Sequence, residues 1–96
     1  MSPRRTKPAD AAARTWREPD GLHVEVRGLG APQPMVLILQ LLRELPRDAV
    51  LIVHHDRDPA MLYPELAQIG WQAELIDGEP GEVRLRLSAA APDDGG

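Results

Sequence analysis

Two short segments carry the residues best suited to binding or catalysis. The first runs from Arg27 to Pro34 and contains glycines and prolines ahead of an apolar stretch. The second, His54 to Pro59, holds two histidines, two aspartates and an arginine. A glycine loop that leads into a helix can bind an anion, because free N–H groups and the helix dipole favour negative charge. Imidazole and carboxylate groups in the second segment can bind a metal or transfer protons.

The rest of the sequence predicts the elements that position these two segments. Alternating patterns and continuous apolar runs predict strands, while apolar residues spaced by three and four predict helices. The predicted strands are residues 22–27, 50–53, 71–77 and 82–87. The predicted helices run over residues 34–45, where Pro46 ends the first, and from about residue 60 to Gly70.

The order of these elements is βαβαββ, which predicts an α/β two-layer sandwich. Right-handed crossovers make the first two strands parallel and place both helices on one face of a four-stranded mixed sheet. The other face is then open to solvent. The residues expected on the open face are His23, Glu25, Arg27, Ile52, His54, Arg84 and Arg86.

Composition predicts one folded domain between two tails. The predicted domain covers residues 21–87. Residues 1–20 are predicted to form a disordered basic tail, and residues 88–96 are predicted to form a second disordered tail. The formal net charge of −4 argues against general nucleic-acid binding, which needs phosphate neutralisation. No apolar stretch is long enough to span a membrane, and residues 1–20 lack the apolar core of a secretory signal. The predicted location is the cytoplasm.

Two motifs carry a family resemblance. The pattern G-L-x-x-P-x-P at residues 28–34 resembles the G-L-x-C-P-x-P signature of TusA-like sulfur-carrier proteins. Residues 55–71 are similar to the block H-D-x-[DE]-P-x-x-L-Y-P-x-L-x-x-x-G-[WY] of an uncharacterised TusA-related family that lacks the cysteine. Together, these motifs extend the resemblance over the whole predicted domain.

The resemblance implies a mixed sheet with strand order 1-2-4-3, but it does not carry sulfur transfer to this chain. The chain has no cysteine, and Ala31 occupies the position of the persulfide-bearing residue. A methyl group is neither a nucleophile nor a persulfide carrier. The predicted function is therefore a small cytoplasmic TusA-like accessory or binding domain without sulfurtransferase activity.

Binding is predicted where the first two parallel strands end, because ligands of α/β folds favour this edge of the sheet. The expected occupant is a protein partner or a small anionic ligand. The predicted ligand-binding residues are Arg27, Gly28, Ala31, Pro32, Pro34, His55, Asp56 and Arg57. A simpler interpretation is that the glycines and prolines only shape the loop, while Asp56 or Asp58 caps the second helix.

The alternative function is a redox-related or a metal- or haem-related protein that uses His55, together with His54 or Asp56. His54 and His55 are adjacent in a strand, and are expected to face opposite sides of the sheet. His23 and His54 are expected to lie about 10–13 Å apart, too far to share an ion. No cofactor is therefore predicted, and no metal site is assigned.

Two further interpretations concern catalysis and association. Acid–base catalysis by His55 with Asp56 or Asp58 lacks a nucleophile, because every serine and threonine lies in a predicted tail. A protein contact through the open face, or through Leu37 and Leu41 beside the first helix, fits the apolar pattern as well as a solvated surface does. The predicted oligomeric state is a monomer or a weak homodimer.

Overall fold

The computed structural model of the protein describes residues 14–90 and contains two helices and a five-stranded mixed sheet. The strands are β1 (Arg14–Glu18), β2 (Gly21–Glu25), β3 (Leu51–His55), β4 (Trp71–Ile76) and β5 (Val83–Ala89). The helices are α1 (Gln33–Glu44) and α2 (Leu62–Gln68). The strand order is β1-β2-β3-β5-β4. Strands β2 and β3 are parallel, and the other neighbouring pairs are antiparallel.

Both helices pack on one face of the sheet, which confirms the predicted two-layer α/β class. Ile38 and Leu42 of α1, and Leu62 and Leu66 of α2, are at most 2% exposed. The same buried cluster contains the strand residues Val24, Leu51, Val53, Trp71, Leu85 and Leu87, and Val26, which directly follows β2. Each fully buried aliphatic side chain contributes about 1.5–3 kcal/mol relative to exposure. The spacing of these residues in the sequence therefore fixes which face of each element lies inside.

Local signals set the ends of the helices. Helix α1 begins at Gln33 with Pro34 in its first turn, where a missing N–H costs no hydrogen bond. Helix α2 begins at Leu62, so Asp58 lies outside the capping position. Gly70 follows α2 with a positive φ of 80°, which suits a residue that ends a helix.

Strand β1 corrects the prediction of a four-stranded sheet. It pairs antiparallel with β2 at the edge of the sheet, so the observed order differs from the predicted 1-2-4-3 by this one added strand, and the four predicted strands keep their predicted order. Trp16 is the only apolar residue of β1, and its neighbours in the strand are exposed, so the strand has no apolar alternation. The sequence Pro19-Asp20-Gly21 is the signal that predicts this hairpin, because such residues favour a tight turn between strands.

The same strand changes the predicted domain boundary. Residues 14–20 form β1 and its turn rather than part of a disordered tail, and β5 extends to Ala89, past residue 87. The remaining residues of the two predicted tails, 1–13 and 91–96, lie outside the described part of the chain.

Candidate functional site

The two loop segments meet at the edge of the sheet where β2 and β3 end. The Val26 backbone N–H donates to the His54 carbonyl at 3.0 Å and so extends the parallel pairing beyond β2. The Gly28 N–H then donates to a carboxylate oxygen of Asp56 at 3.1 Å. Gly28 has a positive φ of 88°, a conformation that suits glycine. The structure therefore brings the two loops together, as expected for neighbouring parallel strands.

A cavity of about 320 Å³ lies between these loops and the beginnings of both helices, and we call it the loop pocket. Its lining residues are Leu29, Ala31, Pro32, Pro34, Met35, His55, Arg57, Asp58, Pro59, Ala60, Met61 and Leu62. Most of these side chains are apolar, and a few polar groups converge on the same space. Small-molecule sites commonly have this volume and this composition.

Five of the eight predicted binding residues line the loop pocket, and three do not. The residues in its wall are Ala31, Pro32, Pro34, His55 and Arg57. Arg27, Gly28 and Asp56 lie beside the pocket and are engaged elsewhere. Whether the five lining residues bind a ligand remains a prediction.

Arg27 is held by Glu25 rather than aimed at a ligand. Its Nε and Nη2 atoms donate to the Glu25 carboxylate at 2.8 and 2.7 Å, and its backbone N–H donates to the same group at 3.0 Å. The guanidinium hydrogen bonds lower the pKa of Glu25 and raise the pKa of Arg27. The sequence predicts that Arg27 lies beside the loop, but it does not show which group the guanidinium binds.

His55 provides the buried polar group of the loop pocket. The residue is 3% exposed, and its ring Nδ1 lies 2.9 Å from the Asp56 backbone nitrogen and 3.1 Å from Asp56 Oδ1. The first contact uses a lone pair on Nδ1 and the second uses a proton there, so the two contacts belong to different protonation forms of the ring. Within residues 14–90 no hydrogen-bond partner is found for His55 Nε2. The pocket wall therefore contains a buried imidazole, and Arg57 and Asp58 add charges of opposite sign.

Asp56 links the two loops, and this link gives a testable prediction. The Gly28 N–H, followed by the His55 and Arg57 contacts, lowers the pKa of Asp56 to about 2 from the usual 3.8. Protonation weakens the carboxylate as an acceptor, so the Gly28 amide proton resonance is expected to titrate with a midpoint near pH 2. An NMR titration measures this midpoint, with the Gly81 amide as control. A midpoint close to 3.8 would contradict the link.

The opposite face of the sheet holds a second cluster, the histidine–carboxylate chain of Asp20, His23, His54 and Glu82. His23 Nε2 lies 2.7 Å from Asp20 Oδ1, and His23 Nδ1 lies 2.8 Å from His54 Nε2. His54 Nδ1 lies 2.6 Å from Glu82 Oε2. Both rings are buried, with His23 3% and His54 7% exposed. The expected separation of about 10–13 Å between His23 and His54 was therefore wrong.

The error arose from the register of β2 and β3. His23 pairs with Ile52, so His54 lies only two residues further along the neighbouring strand and on the same face. Two residues of a strand span about 6.6 Å, a distance that two imidazole side chains can close. His55, the next residue, lines the loop pocket on the helix side. The structure therefore does not bring His54 and His55 together as ligands of one ion.

Trp16 packs against both imidazoles from strand β1. The ring centroids lie 5.3 Å apart for Trp16 and His23, and 5.2 Å apart for Trp16 and His54. The Trp16 indole N–H also donates to the Glu18 carboxylate at 2.7 Å. The hairpin therefore shields the histidines from water on a face that was expected to be open.

Glu82 closes the buried end of the histidine–carboxylate chain. Its side chain is 1% exposed and accepts hydrogen bonds from Arg84 Nε and Nη2 at 2.8 and 2.9 Å. The Glu79 backbone N–H donates to it at 2.9 Å. These donors, with Arg84 first and His54 a smaller contribution, lower the pKa of Glu82 to about 2 from 4.5. Glu82 therefore remains an anion inside the fold at all ordinary pH values.

Sequence reasoning missed two members of this second cluster, Asp20 and Glu82, and two residues beside it, Trp16 and Glu18. Glu18 and Asp20 lie in and beyond a strand that was not predicted, and Trp16 belongs to that strand. Glu82 and Arg84 are two residues apart, so their side chains are expected on the same face of a strand. Arg84 pairs with His54, which places Glu82 on the face that holds His54. Within the described residues, Glu18, Asp20 and His23 offer ligand atoms that all lie within 4.8 Å of one another. This is the group with the composition and spacing to hold a metal ion.

A family comparison places these observations among known proteins. Neither helix within residues 14–90 has the length and apolar character needed to cross a membrane. No curated protein matches the sequence. Residues 23–89, which include both loop segments, match the model of a family described as "Uncharacterized conserved protein (DUF2249)". The chain therefore belongs to this family of uncharacterised conserved proteins.

Proposed function

We propose that the protein is a small binding domain without sulfurtransferase activity, and that it binds a largely apolar molecule with one anionic group in the loop pocket. The observation that carries this proposal is the cavity of about 320 Å³ between the loop at the start of α1 and the His55–Pro59 loop. Its apolar wall provides most of the contact area for such a ligand. The Arg57 guanidinium provides the recognition of charge, and the buried His55 imidazole provides a further polar group in the wall.

The TusA-like resemblance supports the same location. In those carriers the reactive residue occupies the position of Ala31, which lies in the wall of the loop pocket. Alanine removes the thiol chemistry but leaves the space around it, so the scaffold can present a pocket where the carriers present a persulfide. The ligand would then be held by reversible contacts alone.

Octanoate and 1-octanol are suitable matched probes, because they share a chain length and differ in charge. Octanoate is expected to shift the backbone amide resonances of Leu29, Met35 and Leu62 in an NMR titration of the full chain. It is expected to bind about tenfold more tightly than 1-octanol, since only the carboxylate accepts charge-assisted hydrogen bonds from Arg57.

Two variants test separately how the charge of Arg57 and the space of the loop pocket contribute to binding. Arg57→Gln is expected to reduce the preference for octanoate severalfold, while Arg43→Gln on the exposed side of α1 leaves it unchanged. Ala31→Trp fills the loop pocket and is expected to abolish binding of both probes. If neither probe shifts these resonances, the proposal is wrong. If both bind equally and Arg57→Gln has no effect, the anionic part of it is wrong.

A further inference from the structure

The tip of the β1–β2 hairpin carries a site that is separate from the loop pocket. We propose that Glu18, Asp20 and His23 bind a divalent transition-metal ion such as Zn²⁺. Their ligand atoms, one imidazole nitrogen and two carboxylate oxygens, lie within 4.8 Å of one another. Zinc accepts this combination of ligands, and solvent can complete the coordination because both carboxylates are exposed.

Counting protons along the histidine–carboxylate chain shows why a cation belongs at its outer end. The chain has three contacts, Asp20 to His23, His23 to His54, and His54 to Glu82, and each needs one proton to be a hydrogen bond. Two neutral imidazoles carry only two protons. The buried Glu82 carboxylate takes one from His54 Nδ1, and His54 Nε2 takes the other from His23 Nδ1. The lone pair of His23 Nε2 is then left facing carboxylate oxygens.

A cation bound at His23 Nε2 stabilises the arrangement in which this lone pair faces two carboxylates. His23 Nε2 lies 2.7 Å from Asp20 Oδ1 and 3.7 Å from Glu18 Oε1, and two negative groups against a lone pair repel each other. A third proton can occupy the position, which makes His23 an imidazolium. A metal ion can occupy it instead and interact with both carboxylates at once. The two occupants compete for one atom, so a measurement can tell them apart.

The spacing of the ligand atoms suits an ion after a small outward movement. Neighbouring ligands around tetrahedral zinc lie about 3.3 Å apart when the bonds are about 2.0–2.1 Å long. Asp20 Oδ1 must therefore move away from His23 Nε2 by about 0.6 Å. The Asp20 side chain is 58% exposed and the Glu18 side chain 49% exposed, both near the tip of a hairpin. This movement disturbs no packed group.

The other side of His23 is already organised as metal-binding histidines usually are. A ligating histidine typically donates its second ring N–H to a fixed acceptor, which sets its tautomer and orientation. Here His23 Nδ1 meets His54, and His54 meets the anionic Glu82. The Trp16 ring packs against both imidazoles and restricts their rotation. His54 and Glu82 are therefore positioning residues for His23.

The test is a Zn²⁺ titration of the full-length chain, prepared without a histidine tag and treated with chelator, followed by calorimetry near neutral pH. One zinc ion per chain is expected to bind. Glu18→Gln and Asp20→Asn are each expected to weaken binding at least about tenfold, since each removes a charged ligand. The matched controls are Glu74→Gln and Asp48→Asn, exposed carboxylates elsewhere on the surface, which leave the affinity unchanged.

Long-range ¹H–¹⁵N NMR of the imidazoles identifies the bound atom. With zinc present, His23 Nε2 is expected to show the shift of a metal-bound nitrogen while Nδ1 keeps its proton. The proposal fails if the Glu18→Gln/Asp20→Asn double variant binds zinc as tightly as the wild type. It also fails if zinc binds while His23 Nε2 remains protonated. Both variants change exposed side chains, so loss of folding does not obscure the result, and Arg57→Gln leaves zinc binding intact whatever its effect on octanoate.

Discussion

Glu82→Gln is expected to lower the free energy of unfolding by about 1–3 kcal/mol near neutral pH, because it removes a buried charge that accepts hydrogen bonds from Arg84, whose side chain is 26% exposed. The substitution keeps the shape of the side chain but removes the charge that faces Arg84 and His54. The Glu82 side chain is 1% exposed, so water cannot replace the lost interaction. Urea unfolding followed by circular dichroism, with chelator present, measures the change.

Glu74→Gln is the matched control. Glu74 also pairs with an arginine, Arg86 at 3.0 Å, but its side chain is 62% exposed. Exposed ion pairs contribute about 0–1 kcal/mol, so this variant is expected to remain close to the wild type. Equal stabilities for the Glu82 and Glu74 variants would show that burial of the Glu82 pair does not matter.

The effect of Glu82 depends on pH in a defined direction. Its pKa is about 2 in the folded protein against 4.5 normally, so the folded state binds this proton less readily than the unfolded state. The stabilisation is therefore complete above pH 4.5 and is lost as the pH falls towards 2. The difference in stability between wild type and Glu82→Gln is expected to shrink over that interval. A difference that stays constant down to pH 2 would contradict this assignment.

Gly21→Ala is expected to destabilise the fold by about 2–5 kcal/mol, through backbone strain and overpacking together. Gly21 has a φ of 140°, which side chains with a Cβ rarely adopt. An added Cβ would lie 2.5 Å from the Val50 carbonyl oxygen and 3.1 Å from the Val50 Cβ. That carbonyl accepts the Leu22 N–H at 3.0 Å, so it cannot move away without breaking the start of the β2–β3 pairing.

Alanine variants of two other glycines distinguish the effect of backbone strain from that of steric overlap by the added Cβ. Gly81→Ala has a positive φ of 80° but open space around the added methyl group, so a loss of about 1 kcal/mol is expected. Gly30→Ala meets neither problem and is expected to change stability by less than about 0.5 kcal/mol. Thermal unfolding of the three variants checks this order, and a Gly21 variant as stable as the Gly30 variant would refute it.

The sequence predicts the parts of the fold that bury apolar residues. Helix α1 and strands β2, β3 and β5 place aliphatic side chains in the core at regular spacing, and that spacing is what a sequence displays. Strand β1 lies at the edge and buries only part of Trp16, so its pattern carries no such signal. The sequence signal for β1 is the turn at residues 19–21, because proline, aspartate and glycine in this order favour a hairpin whether or not the strand is buried.

The candidate sites were predictable to different degrees. The loop pocket follows from connectivity alone, because the C-terminal ends of neighbouring parallel strands must adjoin. The histidine–carboxylate chain depends on the register between β2 and β3, which places His23 opposite Ile52. Apolar alternation does not define that register, since both strands keep their inward faces after a shift of two residues. The contact of Arg27 with Glu25 is different, because strand spacing places both side chains on one face, yet the sequence does not show that the guanidinium prefers Glu25 to a ligand.

Strand β1 and its turn contribute nothing to the wall of the loop pocket, yet they supply Trp16, Glu18 and Asp20 to the opposite face. The two faces of the sheet therefore depend on different segments of the chain. Replacing the hairpin would change the surroundings of the two histidines while leaving every residue of the pocket wall in the sequence.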